Sequence, residues 1–252
     1  MYTSYTLASI KHGFFSRRGG VSQGLFASLN FGIDKGDETI NVIRNRNIAL
    51  EKLGLPHIPL LTMKQIHSAE VKVVTEPWDF NIGAAPHADA LVTNKSGVAL
   101  GILTADCVPV LLADVQGRVI GAAHAGWRGA QAGIIGNTVK AMCTLGAERA
   151  RIVAAVGPCI AQDSYEVDMD FYRSFTDQYT TSQTYFMAAP QAVHFLFDLP
   201  GFVKSCLMQA GIETIDDLNL NTYANPDLFF SCRRAFHKKE PTFGNSISMI
   251  AF

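Results

Sequence analysis

The sequence predicts a mixed α/β (α+β) fold in a single domain over residues 1–252. Three observations predict it. The 252 residues show no internal repeat and no low-complexity linker, and that length suits one large domain. Short apolar runs broken by turns fill the middle of the chain. Segments of helical periodicity flank those runs, a mixture that implies sheets covered by helices.

Taken in order, residues 13–24 (GFFSRRGGVSQG) are glycine-rich, carry two arginines and read as a loop. Residues 39–53 place Ile40, Ile43, Leu50 and Leu53 at helical spacing. Asp37 and Thr39 are candidate caps there, and Gly54 with Pro56 ends the helix. Val71–Val74, Ala90–Thr93, Val98–Leu103, Val108–Ala113 and Val119–His124 read as buried strands. Residues 131–145 carry Ile135, Val139 and Met142 on one face, with Gly146 beyond Leu145, so a helix is expected. Arg151–Val156 is a strand closed by Gly157-Pro158, residues 200–210 a helix, and Ser246–Phe252 a terminal strand.

Composition narrows the function classes. A hydrophobic fraction of 48% against 17% charged residues indicates a large core and no disorder. The net charge of −1 leaves no electrostatic footprint for nucleic acid or an anionic membrane. The one dense basic run, Arg233 to Lys239, reads as a solvated turn. Five cysteines without a CxxC pair argue against a disulfide framework and for a reducing, cytoplasmic setting. Met1 to Phe15 lacks the layout of a signal peptide. No run of roughly 18 apolar residues exists to cross a membrane. A monomer acting on small molecules is expected.

Three metal-capable side chains sit at the ends of the central runs. His67 lies in QIH before a strand, Cys107 in TADC between two strands, and His124 in AAHAGWRG after one. Thiolate and imidazole suit a borderline-soft ion such as zinc, and three protein ligands leave a fourth position for water or substrate. An ion in such a site lowers the pKa of bound water to about 7. The spacing alone leaves a second reading open, in which the histidines are hydrogen-bonded strand ends and Cys107 is a core thiol. Arg17, Arg46 and Arg128 are candidate phosphate contacts, and Phe14, Phe31 and Trp127 candidate purine platforms. Asp89 and Asp106 are strand-end carboxylates that could orient a ligand or move protons, or simply cap turns.

Together the motifs GFFSRRGGVSQG, SLNFG, NVIRNR, QIHSAEV, HADALVT, LTADCVPVLLAD, GAAHAGWRG and VGPCIAQDSYEV, in that order, resemble the bacterial polyphenol oxidase or laccase-domain family, also called purine nucleoside phosphorylase-like. The likeness spans roughly residues 12 to 234. It implies a single α/β domain with mixed β-sheets sandwiched by helices, and one zinc ion held by His67, Cys107 and His124. It also implies phosphorolysis of adenosine, inosine and methylthioadenosine, with phosphate as partner, and deamination of adenosine. The tail departs from the family pattern, which runs Tyr-Arg-Arg-Asp-Gly and later Thr-Gly-Arg. Here Cys232 precedes Arg233-Arg234, and AFHKKEPTFGN follows.

Seven histidines include no His-X-His pair, which argues against the trinuclear copper cluster of a true laccase. Copper could still enter a His2Cys site by substitution for zinc, and phenol oxidation would then follow from the exchange. In the nucleoside reactions Cys107, His67, His124 and Asp106 are the expected catalytic groups. The alternative is a metal-free cysteine hydrolase or amidase with Cys107 as nucleophile and His124 as base.

Overall fold

The computed structural model describes residues 1–78, 85–177 and 180–252. In chain order its strands and helices are β1 (Lys11–Phe14), α1 (Thr39–Lys52), β2 (Leu60–Leu61), β3 (Val71–Val73), β4 (Ala90–Thr93), β5 (Ala99–Thr104), β6 (Val108–Asp114) and β7 (Val119–Ala125). Then come α2 (Trp127–Gln131), α3 (Ile134–Thr144), β8 (Val153–Val156), β9 (Glu166–Asp168), α4 (Met169–Thr176), β10 (Phe186–Ala188) and β11 (His194–Phe197). The chain closes with α5 (Leu199–Gln209), β12 (Thr214–Asp217), α6 (Cys232–His237) and β13 (Ser246–Ala251).

Two mixed sheets stack at the centre. One has the order β12-β8-β6-β7-β4-β3 and the other β1-β13-β5-β2. Between them Leu91, Leu100, Ile102, Leu111, Ile120 and Ile250 form one buried layer. On the far side of the six-stranded sheet, Val110, Leu112 and Ala123 pack with Ile135 and Val139 of α3 and Val203 and Leu207 of α5. On the far side of the four-stranded sheet, Ile247 and Met249 pack with Ala49 and Leu50 of α1. The expected mixed sheets sandwiched by helices are therefore the observed architecture, and the sheets number two at this centre. That architecture explains why β6 and β7 are continuous apolar runs, because both faces of each strand are covered.

Local departures have local causes. The helix expected over 131–145 is α3, which starts at Ile134 because Gly133 adopts φ +93° and separates it from the short α2. Glu38, not Asp37 or Thr39, occupies the cap position of α1. The Asp37 carboxylate instead accepts hydrogen bonds from Ser22 and Asn30. Residues 13–24 are not all loop, since Gly13 and Phe14 finish β1, paired with Met249 and Ser248. The periodicity gives no sign of an aromatic lobe, in which β10, β11 and β9 form a small antiparallel sheet. Against it lies α4, capped by Asp168 and packing Phe171 and Phe175 onto Phe197. No described helix is long and apolar enough to cross a membrane.

Candidate functional site

Register builds the site at one end of the six-stranded sheet. Pairing of β6 with β7 sets Val108 opposite Ala125 and Pro109 opposite His124, so Cys107 emerges beside the end of β7. Pairing of β4 with β7 sets Ala90 opposite Ala123, which brings Asp89 to His124. The His124 N–H donates to the Asp89 carbonyl at 2.7 Å, and its ring Nδ1 lies 2.8 Å from Asp89 Oδ1.

His67 comes from a separate loop, and Asp89 holds that loop too. The backbone N–H groups of Ile66, His67 and Ser68 all donate to the Asp89 carboxylate, as does the Ser68 hydroxyl. His67 is held in the left-handed region at φ +59°, a conformation that costs energy in a non-glycine residue and is kept by its surroundings. The result is a cluster in which one ligand atom each of His67, Cys107 and His124 lie within 4.8 Å of one another. Cys107 Sγ is 3.8 Å from His67 Nε2, close to the roughly 3.5 Å edge that tetrahedral zinc bond lengths imply for an N and an S ligand.

The backbone makes room for this approach. A Cβ on Gly126 would lie 2.7 Å from His67 Cδ2 and 3.1 Å from Cys107 Sγ. The electrostatics prepare the thiol as well, with His124 as its charged partner until an ion displaces the imidazole proton. Burial pushes the Cys107 thiol up, but the His124 charge and hydrogen bonds from both imidazoles outweigh it and hold the thiol at about 6. Burial opposes the charge on His124, yet the Cys107 charge and the Asp89 hydrogen bond raise it to about 9. Desolvation also works against ionised Asp89, while His124 and Ser68 bring it down to about 2. The thiolate is the form in which cysteine binds a soft ion. With Nδ1 committed to Asp89, His124 presents Nε2 to the cluster. The donor set, its spacing and the glycine cradle all fit one metal ion, and no other such group occurs among the described residues.

The cluster opens into a cleft of ≈ 1430 Å³, also lined by Trp127, Arg128, Tyr165, Phe171, Arg233 and Phe236. Of the sequence candidates, Arg128 reaches this cleft and Arg17 and Arg46 do not. Arg17 donates to the carbonyls of Ala27 and Pro226 and lies over the Phe230 ring. Arg46 is buried and donates to the Phe31 carbonyl. Trp127 lines the cleft, whereas Phe14 and Phe31 are fully buried in the core.

Asp106, expected to act in catalysis, has φ +93° and accepts from the Thr222 hydroxyl, the Ser231 hydroxyl and the Arg233 backbone N–H. These bonds make it the anchor of the C-terminal wall. The basic run is a solvated turn only at Lys238 and Lys239: Arg233 and Arg234 sit in α6, and the Arg234 guanidinium binds the carbonyls of Thr222, Tyr223 and Phe229. Sequence reasoning misses Arg233, Tyr165 and Phe171 as cleft residues, although Phe171 and Phe175 four residues apart after a capping Asp168 are a helix signal.

Fold and site together define a single-domain α/β protein with an open His2Cys cluster able to hold a metal ion at the head of a cleft. The sequence model of a family described as "Multi-copper polyphenol oxidoreductase laccase" matches residues 11–252, and the chain belongs to that family. It is 39% identical to a purine nucleoside phosphorylase of Rickettsia conorii over 76% of this chain and 77% of that one. It is 37% identical to another from Xylella fastidiosa, over 85% and 83%. A crystal structure of a Neisseria meningitidis protein superposes with a TM-score of 0.87 at 34% identity, covering 100% of this chain and 98% of its own. YlmD from Geobacillus stearothermophilus gives a TM-score of 0.87 at 28% identity, with coverage of 98% and 93%.

Proposed function

We propose that the chain is a metal-dependent enzyme of purine nucleosides, cleaving adenosine, inosine and methylthioadenosine with phosphate and deaminating adenosine. The observation that carries this reading is the meeting of His67, Cys107 and His124 at the head of a cleft that also presents Arg128 and several aromatic faces. The printed names of the relatives support the substrate class. His67, Cys107 and His124 would hold one zinc ion, and copper could displace it by its higher affinity for N/S ligands. When bound, such an ion supplies a Lewis acid that polarises substrate oxygen or activates water.

The chain's own residues supply the rest. Asp89 fixes the tautomer of His124 and the backbone of His67 in one stroke. Trp127, Phe171 and the exposed Phe236 offer π faces to a purine. Arg128 offers a planar fork to phosphate. In phosphorolysis a phosphate oxygen forms the new bond to C1′ while the bond from C1′ to the base breaks. The base departs with the bonding pair and takes up the proton that the attacking hydrogen phosphate gives up. Asp106 serves by holding the wall of the cleft.

Mass spectrometry of adenosine incubated with phosphate tests the reading. Adenine with ribose-1-phosphate reports phosphorolysis, and inosine reports deamination. Appearance of neither sinks the proposal. Protein purified without added metal should carry about one zinc per chain, and Cys107→Ser should lose metal and turnover together.

One observation favours a second reading. Asp89, His124 and Cys107 form an orienter, base and thiol in series, the arrangement of a cysteine hydrolase. Metal-free protein that is inactivated by rapid alkylation of Cys107 would establish it in place of the first. Against it stands His67, whose Nε2 also faces the thiol and has no task in a dyad.

A further inference from the structure

Arg128 and Arg233 are mounted alike on one wall of the cleft. The Arg128 guanidinium lies 4.3 Å from the Trp127 ring centroid, and that of Arg233 lies 5.1 Å from the Tyr165 centroid. Phe171 joins the two platforms, with ring centroids 4.8 Å from Trp127 and 6.1 Å from Tyr165. All five residues line the same cleft as Cys107. A guanidinium over a ring is held in orientation while its N–H edges stay available to a ligand.

Those edges are largely unspent. Among the described residues Arg128 forms no hydrogen bond and no ion pair, its guanidinium resting on the Trp127 ring alone. Arg233 gives one guanidinium N–H to the Glu166 carbonyl at 2.6 Å and keeps the rest of its donors. Glu166 and Asp168 line the cleft without pairing to either arginine. Asp106 spreads its charge over three donors from the C-terminal segment. The Tyr165 hydroxyl is likewise without a hydrogen-bond partner among the described residues. Burial, followed by the Cys107 charge, pushes that phenol up, while Arg233 and Arg128 pull it down. One neutral hydroxyl thus lines the same cleft as the thiol and both guanidiniums, on the ring that carries Arg233.

We infer that Arg128, Arg233 and the Tyr165 hydroxyl form an oxyanion subsite beside Cys107 that takes inorganic phosphate. Two planar forks and a hydroxyl match the tetrahedral display of phosphate oxygens; Arg128 is exposed and Arg233 and Tyr165 are half-buried, so added salt should weaken the binding. The site differs from the one the sequence suggests, since Arg233 replaces Arg17 and Arg46. The inference rests on the phosphorylase reading for its biological sense, but phosphate binding can be measured without turnover.

Titration calorimetry of the full, zinc-containing chain with inorganic phosphate is the test. Wild type should bind at millimolar concentrations or below. Arg128→Met and Arg233→Lys should each weaken binding by about 10- to 100-fold, the worth of a charge-assisted hydrogen bond. Tyr165→Phe should weaken it by a few-fold, and Arg44→Met, on the exposed side of α1, should leave it unchanged. Arg233 is tied to β9, so Arg128→Met and Tyr165→Phe carry the test if Arg233→Lys fails to fold. Wild-type affinity in both of those variants, or no phosphate binding by wild type at about 50 mM, a concentration far weaker than specific sites require, would overturn the subsite. Loss of phosphate binding in the variants, with no product from adenosine and phosphate even in wild type, would keep the subsite and remove the phosphorylase reading. Product formation with an unaltered phosphate KM in the variants would do the reverse.

Discussion

Two buried aspartates stand at neighbouring strand ends of the site, and they do different work. Asp89 precedes β4 and gathers donors from the His67 loop together with the His124 ring. Asp106 precedes Cys107 and gathers donors from the far C-terminal segment, Thr222, Ser231 and Arg233. One carboxylate orients candidate ligands; the other fastens the wall that bounds the cleft. Adjacency in sequence draws attention to Asp106, the neighbour of Cys107, whereas the carboxylate that contacts the cluster histidines is Asp89. What decides the role is strand register, which places Asp89 opposite His124.

The comparison is sharpest under the smallest chemical change, Asp to Asn. At Asp89 both oxygens accept from N–H groups, and Oδ2 also takes a hydroxyl. Whichever way the substituted amide turned, its NH2 would face donors, and the buried network would lose a charge partner. Asp89→Asn should lower unfolding free energy by about 3–5 kcal/mol, the range for breaking a buried ion pair. It should also lower metal affinity by about 10- to 100-fold, as loss of a ligand-orienting partner does. Denaturant unfolding and a competitive chelator titration would measure the two effects. Wild-type metal affinity in a folded variant would remove Asp89 from its orienting role.

A third aspartate offers a control at the opposite end of β6. The fully buried Asp114 carboxylate accepts from the Gly117 and Glu148 backbone N–H groups and pairs with Arg151 at 3.0 Å. Burial works against its charge, but these partners win and hold it below the usual carboxylate range. A depressed carboxylate stabilises the fold above its unfolded pKa, and that stability is lost as pH falls through the folded value. Acid should therefore destabilise wild type as pH falls below about 4, the ordinary aspartate value. Asp114→Asn should cost about 2 kcal/mol at neutral pH and flatten the acid limb of a plot of stability against pH. Metal affinity should not move, since Asp114 touches no part of the site. An unchanged acid limb would show that other carboxylates dominate.

How much of this is legible in the sequence follows from the same logic. Strand β6 is readable because an uninterrupted apolar run can be buried on both faces, and α5 because Asp198 and Pro200 mark its start. His67, Cys107 and His124 are readable through their motifs, though their spacing alone decides nothing. Asp89 reads as no better than a turn cap because pairing partners are long-range facts. Arg17 and Arg46 attract attention as arginines in glycine-rich or helical motifs, but their guanidiniums serve backbone carbonyls. Arg233 hides in a charge run, because nothing local reveals that Asp106 pulls its backbone to the cleft.

The smallest expected effect is Asp106→Asn, and it divides the two roles most cleanly. Asp106 Oδ1 accepts from Thr222, whose hydroxyl can instead accept, while Oδ2 accepts from Ser231 and Arg233. The side-chain carbonyl of the variant could keep the second pair, and its NH2 could donate to Thr222. Asparagine also tolerates the left-handed backbone that Asp106 adopts at φ +93° better than most residues do. The variant should therefore lose about 1 kcal/mol of stability, retain its metal and keep kcat within about ten-fold. A proton-transferring Asp106 predicts otherwise, because an amide carries no titratable proton and removal of a general acid or base typically costs about 10²- to 10⁴-fold. A pH profile separates the outcomes: a wall anchor leaves both limbs of kcat/KM in place, whereas loss of one limb would return Asp106 to the chemistry.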